Sequence, residues 1–266
     1  MKLLCPVCAA ELNIDGKSCH CGRGHSFDVA RQGYVNLLPV QQKHSLNPGD
    51  TKEQVASRRE FLSAGLYRPI ADALCSAAEE FGAEGPILDV GCGEGYYSSI
   101  LARAMGAELT GIDISKEAVR RAAGTYKDAL WLCATAAKLP VADSEAGLVT
   151  SLFALTVPGE FSRCLKENGL FFQVLAAEDH LMGLKSIIYL ELKHKEKDIV
   201  PDVPGFTLEK SIPIRFTFTV EGQQVGNLLS MTPHVYRISA DGAARLAATE
   251  RLTDTASCVL NVYRKE

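Results

Sequence analysis

The chain has 266 residues, too many for one ordinary domain of about 100–200 residues and too few for two, so one large globular unit with an appendage is expected. Its 47% apolar and 23% charged residues exclude disorder, collagen and coiled coil, and with no apolar run of about 18–20 residues and no apolar leader in MKLLCPVC it is expected in the cytoplasm, away from membranes. The net charge of −4 is uneven: residues 1–68 carry nine Lys/Arg and six Asp/Glu, or +3, while the rest carries 19 and 26, or −7, a basic head on an acidic body that fits a polyanionic partner.

Cys5, Cys8, Cys21 and His25 open the chain as C-x-x-C, twelve residues, then C-x-x-x-H. Nine cysteines without an export signal should stay reduced, so this cluster reads as metal ligands rather than disulfides, with a redox thiol cluster as the alternative. Four N/S ligands complete a tetrahedral Zn²⁺ and leave no place for a catalytic water, which makes the site structural. About 30 residues with few large apolar side chains need such a staple. Cys19 or His20 could replace Cys21; the three-residue gap to His25 favours Cys21. Residues 1–35 are expected to form the zinc module, and loss of its metal is expected to leave the rest of the chain intact.

Residues 36–60 read as an ordered connector punctuated by Pro39, Pro48 and Gly49. Apolar residues at helical spacing (Val55, Phe61, Leu62, Leu66, Ile70, Leu74, Phe81) predict helix over 52–81, with Arg58 and Arg59 either on a solvated face or touching RNA. Residues 61–266 are expected to form the main domain. From PILDVGC (86–92) strands and helices alternate: YSSILARAMG helical, ELTGIDI a strand, KEAVRRAAGTY helical, LWLCAT and GLVTSLFAL strands, FSRCLKENG a helix stopped by glycine, and LFFQVLA a strand. Such alternation predicts an α/β fold, a doubly wound, mostly parallel sheet with helices on both faces. A further amphipathic helix is expected over 181–199, ending in the charged run KHKEKD. Strands are predicted at 206–220 and 257–266, the last inserted antiparallel.

Gly91, Gly93 and Gly95 follow a predicted strand and precede a helix, where glycines let backbone bend sharply and approach a ligand closely. Asp113, at the end of the next strand, is placed to accept hydrogen bonds from both hydroxyls of a ribose. Together they point to a ribose-bearing cofactor.

LDVGCGEG followed by GIDIS resembles the class I S-adenosylmethionine-dependent methyltransferases, Rossmann-like proteins in which the glycine loop lies against the methionine moiety. That resemblance implies a ribose contact for Asp113, an adenine wall at Thr135, Ala136 and Ala137, and an orienting or water-mediated role for Asp89. The zinc cluster, FDVARQGYVNLLPVQ, NPGD, RR-x-FL-x-AG-x-Y, HLMGLKSIIY and MTP (231–233) extend it over nearly the whole chain to the bacterial 23S rRNA guanine-N1 methyltransferases of the RlmA type, with SLFALTVP standing where that family more usually has a tyrosine-proline segment. The resemblance implies that Cys5, Cys8, Cys21 and His25 bind zinc and that Tyr67, Gly95, Tyr96 and His180 touch S-adenosylmethionine. It also implies that the zinc module helps capture an rRNA hairpin. Separately, a groove between the two subunits of a homodimer could embrace a hairpin that one acidic monomer could not. Without the resemblance, Tyr67 reads as core packing and His180 as a surface histidine.

Guanine N1 carries a proton at neutral pH, which must leave before or during methyl transfer. Glu178, Asp179 and His180 are the candidates for receiving it. The base must also leave its stack, which calls for an aromatic platform such as Phe153 or Tyr236, although both residues also suit a core. Lys2, Lys17, Arg23 and Arg31 are the basic residues expected to meet phosphate. Two rival readings share the core: a small-molecule methyltransferase using residues 181–235 as a substrate-side lid, and a non-catalytic RNA-binding protein.

Overall fold

The structure, a computed structural model, describes residues 1–39, 48–192 and 197–266. The head is a four-stranded antiparallel sheet of β1 (Leu3–Leu4), β2 (Glu11–Asp15), β3 (Ser18–Cys21) and β4 (Ser26–Asp28), paired in that order. Two tight turns punctuate it. Ala9 N–H donates to the Cys5 carbonyl at 2.8 Å in the first, and Gly24 N–H donates to the Cys21 carbonyl at 3.1 Å in the second.

The head does not stand apart. β1 bridges Val141 of the main body through Leu3, with Leu4 N–H donating to the Pro140 carbonyl at 3.0 Å and Ala142 N–H to the Lys2 carbonyl at 3.0 Å. β5 (Tyr34–Asn36) then joins the main sheet as an edge strand parallel to β8 (Leu130–Cys133). Leu3, Cys5, Leu12 and Cys21 share one buried cluster with Val141, Phe161 and Phe171. The head thus packs into the core of the body, and the expected independence of the two is not what the side chains show.

The predicted helix over 52–81 is two helices, α1 (Lys52–Ser63) and α2 (Arg68–Glu80). Thr51 and Gln54 form a reciprocal capping box at the start of α1, and Pro69 stands in the first turn of α2. Between them Gly65 turns the chain at φ +76°. Tyr67 in this break points inward, with ring centroids 4.9 Å from Phe61 and 5.5 Å from Phe218.

β6 (Ile87–Val90), α3 (Tyr96–Met105), β7 (Leu109–Asp113), α4 (Lys116–Thr125), β8 and β9 (Ala146–Leu152) follow the predicted alternation. α5 (Pro158–Cys164) is shorter than expected. The KENG segment belongs instead to β10 (Leu165–Ala176), whose register shifts between Leu165 and Leu170, with Asn168 at φ +58°. α6 covers only Met182–Ile188 of the expected 181–199 helix, Tyr189 being extended, and the run KHKEKD lies partly outside the described residues. β11 (Phe206–Glu221) and β12 (Arg251–Lys265) are joined through α7 (Gln223–Ser230), a 3₁₀ turn at Pro233–Tyr236 and α8 (Ala240–Ala247).

The eight-stranded sheet runs β11-β12-β10-β9-β6-β7-β8-β5. β12 is antiparallel to both its neighbours, as expected, and the other pairings are parallel. The chain moves from β6 outward to β7 and β8, then returns to place β9 on the other side of β6. At that reversal the crossovers diverge and open a crevice at the carboxyl ends of the strands. Among the described residues no helix is long and apolar enough to cross a membrane.

Candidate active site and zinc centre

The crevice is a cleft of about 1890 Å³. Its floor is the loop after β6. Asp89, buried at the strand end, accepts a hydrogen bond from the Thr150 hydroxyl at 2.7 Å, and burial still pushes its carboxyl up to about 6. Gly91 adopts φ +81°, and a Cβ there would lie 2.4 Å from the Cβ of Ala154. Gly93, at φ +54°, has only the Arg58 guanidinium near the position of a Cβ, at 3.9 Å, so its backbone forms an open lip.

Asp113 closes this lip against β7. Its Oδ2 accepts the Gly93 N–H at 2.8 Å and its Oδ1 accepts the Ser115 N–H at 2.8 Å. A carboxylate offers about four lone-pair sites, so capacity for two further donors remains. Burial raises its pKa, and the two N–H groups oppose that rise. The Ser115 hydroxyl donates to the Asp50 carbonyl at 2.7 Å, while a Cβ on Gly49 would meet Ser115 Cβ at 2.8 Å. This close approach is why glycine stands in the P-G-D segment, and it brings that segment into the cleft wall. Arg58 is ion-paired with Asp50, and Arg59 with buried Glu94 at 3.1 Å. Both arginines are thus tied into an internal network rather than lying free on a solvated face.

Thr135, Ala136 and Ala137 line the wall beyond β8, and Phe153 to Leu155 the wall beyond β9. Phe153 is 42% exposed at φ +54°, a conformation uncommon for a bulky residue. Tyr236, 70% exposed, faces the same cleft with its hydroxyl donating to Gln54 Oε1 at 2.9 Å. Neither ring is core.

His180 follows β10. Its Nδ1 sits between the carbonyl oxygen and N–H of Ser257, at 3.1 and 3.2 Å, and its Nε2 stands 3.5 Å from the Tyr67 hydroxyl. Burial, with Lys185 adding to it, lowers its pKa to about 4, so the imidazole is neutral at pH 7. Asp179 is ion-paired with Arg215 and its pKa is lowered, by hydrogen bonds to Ser257 and Arg215. Neither residue is placed as a ready proton acceptor.

In the head, the ligand atoms of Cys5, Cys8, Cys21 and His25 all lie within 4.8 Å of one another. Cys8 Sγ and Cys21 Sγ are 3.7 Å apart, and Cys21 Sγ is 3.5 Å from His25 Nδ1. Zn–S bonds of about 2.3 Å and Zn–N bonds of about 2.0–2.1 Å give tetrahedral edges of about 3.8 Å for S···S and about 3.5 Å for S···N, so the donors fit zinc. Cys19 lies outside this group, and His20 is exposed on the other face of β3.

Comparison with known proteins matches both regions of the chain. Residues 3–46 match the family described as RlmA, N-terminal, a zinc ribbon, and residues 87–169 match a methyltransferase domain. A 23S rRNA (guanine(748)-N(1))-methyltransferase of Streptomyces fradiae is 34% identical over 254 residues, covering 92% of this chain and 90% of the relative. Proteins named as candidate 23S rRNA (guanine-N(1)-)-methyltransferases are 33% identical in Micromonospora griseorubida, over 98% of this chain and 97% of the relative, and 30% identical in Bacillus subtilis, over 91% and 89%. The chain belongs to the 23S rRNA (guanine-N1)-methyltransferase family.

Within this family fold, the cleft brings together Tyr67, Asp89, Gly91, Gly93, Tyr96, Asp113, Ala136 and His180. Tyr67 is only 2% exposed, so it contributes the edge of a ring packed in an aromatic cluster. Gly95 is the exception. It does not line the cleft, and a Cβ there would lie 2.4 Å from the Trp131 indole, so the third glycine makes room for packing beneath the loop. Sequence reasoning missed Gln54, Lys185, Tyr189, His234 and Arg237, which also line the cleft. Lys185 and Tyr189 sit within HLMGLKSIIY without a residue-level signal of their own, and Gln54 of α1 meets His234 and Arg237 only because the chain between β11 and β12 folds back over the cleft.

Proposed function

We propose that this chain transfers the methyl group of S-adenosylmethionine to N1 of a guanine in a hairpin loop of 23S rRNA. The observation that carries the reading is one continuous cleft joining the Gly93–Asp113 lip to two exposed aromatic rings, Phe153 and Tyr236. Asp113 would hold the ribose, Gly91 and Gly93 the methionine moiety, and Ala136 the adenine. Asp89, Tyr67, Tyr96 and His180 would complete that pocket. When bound, the sulfonium supplies an electrophilic methyl for in-line displacement. The chain's own task is alignment, and well-oriented reactants gain on the order of 7–11 kcal/mol. Phe153, in the segment where the sequence departs from the family's usual pattern, and Tyr236 would stack an unstacked base. Neutral His180, fixed by Ser257, would be a rigid wall of the pocket rather than a base.

The zinc head would present Lys2, Lys17, Arg23 and Arg31, all exposed, to RNA phosphates. Residues 1–35, 36–60 and 61–266 would then act as head, connector and catalytic body, with 181–235 on the substrate side. A homodimer would frame a hairpin between two such bodies, in the cytoplasm where ribosomes are assembled. Incubation with labelled S-adenosylmethionine and ribosomal RNA from cells lacking the enzyme, followed by mapping, tests the reading. Label at guanine N1 of 23S rRNA is expected; label on small metabolites alone would overturn it.

A further inference from the structure

Three cations at the cleft serve neither the proposed donor site nor the zinc head. Lys185 of α6 donates from Nζ to the Glu178 carbonyl at 3.2 Å, and Lys197 donates to the adjacent Ala177 carbonyl at 3.5 Å. Both line the cleft, and so does Arg237. Among the described residues no carboxylate lies within ion-pair distance of any of the three. Arg58, the other arginine lining the cleft, behaves differently and is matched to Asp50, as the nearby Arg59 and Arg215 are to Glu94 and Asp179.

Unmatched cations here are unexpected, because residues 69–266 hold 19 basic against 26 acidic residues. Two ammonium groups gathered on consecutive carbonyls repel each other. The neutral carbonyls, with Asp254, Asp179 and Glu178 acting on Lys185 from beyond ion-pair distance, offset that in part, and burial with Lys197 still holds Lys185 below the usual lysine range. A bound anion would offset the rest. The charge of these cations reaches two histidines, opposed at His180 by Asp179 and the Ser257 backbone. His180 and His234 both lie below the usual histidine range, from burial first and then from Lys185, with Lys197 and, for His234, Arg237 adding to it. A ligand meeting three cations needs more than one negative charge or a chain of charges. S-adenosylmethionine brings one carboxylate and no phosphate, whereas an RNA strand passing the cleft brings one phosphate per nucleotide. Lysine suits phosphate as a mobile point charge, and exposed Lys197 is placed where a strand would pass.

We propose that Lys185 and Lys197, with Arg237 beside them, clamp the phosphodiester backbone flanking the target guanine. The clamp rests on the proposed rRNA substrate and adds where the single strand is held while its base is withdrawn. The test uses a 23S rRNA hairpin transcript that the wild-type chain methylates, with its binding measured across a salt series. For the double variant Lys185→Gln/Lys197→Gln, the slope of log K against log [salt] is expected to fall by about 1.4, at about 0.7 per phosphate contact on a single strand, and Kd at 0.15 M salt to rise about tenfold. S-adenosylmethionine affinity by calorimetry should stay as in wild type, which also reports an intact fold, and Lys185→Arg/Lys197→Arg should retain the wild-type slope. An unchanged slope in the glutamine variant, or a loss confined to cofactor binding, overturns the clamp and leaves the rRNA reading standing. A wild-type chain that neither binds nor methylates any such transcript overturns both.

Discussion

The indole of Trp131 occupies the space that a side chain on Gly95 would need, with only 2.4 Å between the position of that Cβ and the nearest ring atom. Gly95 also holds φ +81°. Overpacking and left-handed strain therefore act together in Gly95→Ala, which is expected to cost about 2–4 kcal/mol. Thermal unfolding checks this, and a smaller residue in Trp131→Leu should recover part of the lost stability in Gly95→Ala.

Asp113→Asn replaces a group that accepts two backbone N–H donors, one on each oxygen, with an amide whose single oxygen can accept one and whose NH2 faces the other as a second donor. Charge-assisted hydrogen bonds are worth about 1.5–3 kcal/mol each. Calorimetry should give an S-adenosylmethionine affinity about 10–100-fold weaker, with secondary structure retained; an unchanged affinity would remove Asp113 from the cofactor site.

Asp89 connects the floor of the cleft to pH. Its folded pKa, pushed up to about 6, exceeds the unfolded value, so the native state keeps a proton that the unfolded chain has released. Its contribution to stability is complete below about pH 4 and is lost as pH rises towards 6, a loss of roughly 2–3 kcal/mol. Asp89→Asn keeps the acceptor for Thr150 and removes this titration. Urea unfolding should show the variant gaining on the wild type between pH 4 and pH 7.

Phe153→Ala and Tyr236→Ala should weaken use of rRNA while sparing the donor. Base–aromatic stacking is worth about 1–3 kcal/mol per base, which corresponds to about 5–150-fold in kcat/KM for the RNA. Steady-state kinetics with RNA varied, beside calorimetry with S-adenosylmethionine, separates the two effects. Equal losses in both would return these rings to the donor pocket.

Much of the body was legible because Val, Ile and Leu runs alternate with amphipathic helices, a pattern that survives tertiary context. Glycine punctuation marked Gly91 and Gly93 correctly for position but could not separate them from Gly95, whose reason lies in a tryptophan 36 positions away. α7 and α8 escaped notice since each has eight residues and contains a glycine, too short for periodicity to register. α6 was overextended from its charged continuation. Its start is set by Asp254, which accepts N–H groups from Gly183 at 3.0 Å and Leu184 at 2.7 Å across some 70 residues. The exposure of Phe153 and Tyr236 was equally hidden, because aromatic residues do not announce which side of a wall they face.

Zinc removal offers a test of how the head is joined. Leu3, Cys5 and Leu12 share buried contacts with Phe161 and Phe171, so chelation should lower the unfolding temperature of the entire chain in one calorimetric transition. A second, unshifted transition would instead show a head that melts alone.

The placement of β5 sets a limit on how the enzyme can be trimmed. A truncated catalytic body lacking the first 40 residues would leave the β8 backbone as a bare, apolar ribbon border, where Trp131, Leu132 and Cys133 are now shielded by Tyr34 and Val35. Such a border recruits strands from other molecules. Self-association of the shortened protein, rather than a soluble catalytic core, is the consequence of a sheet whose last strand is borrowed from its zinc-bearing neighbour.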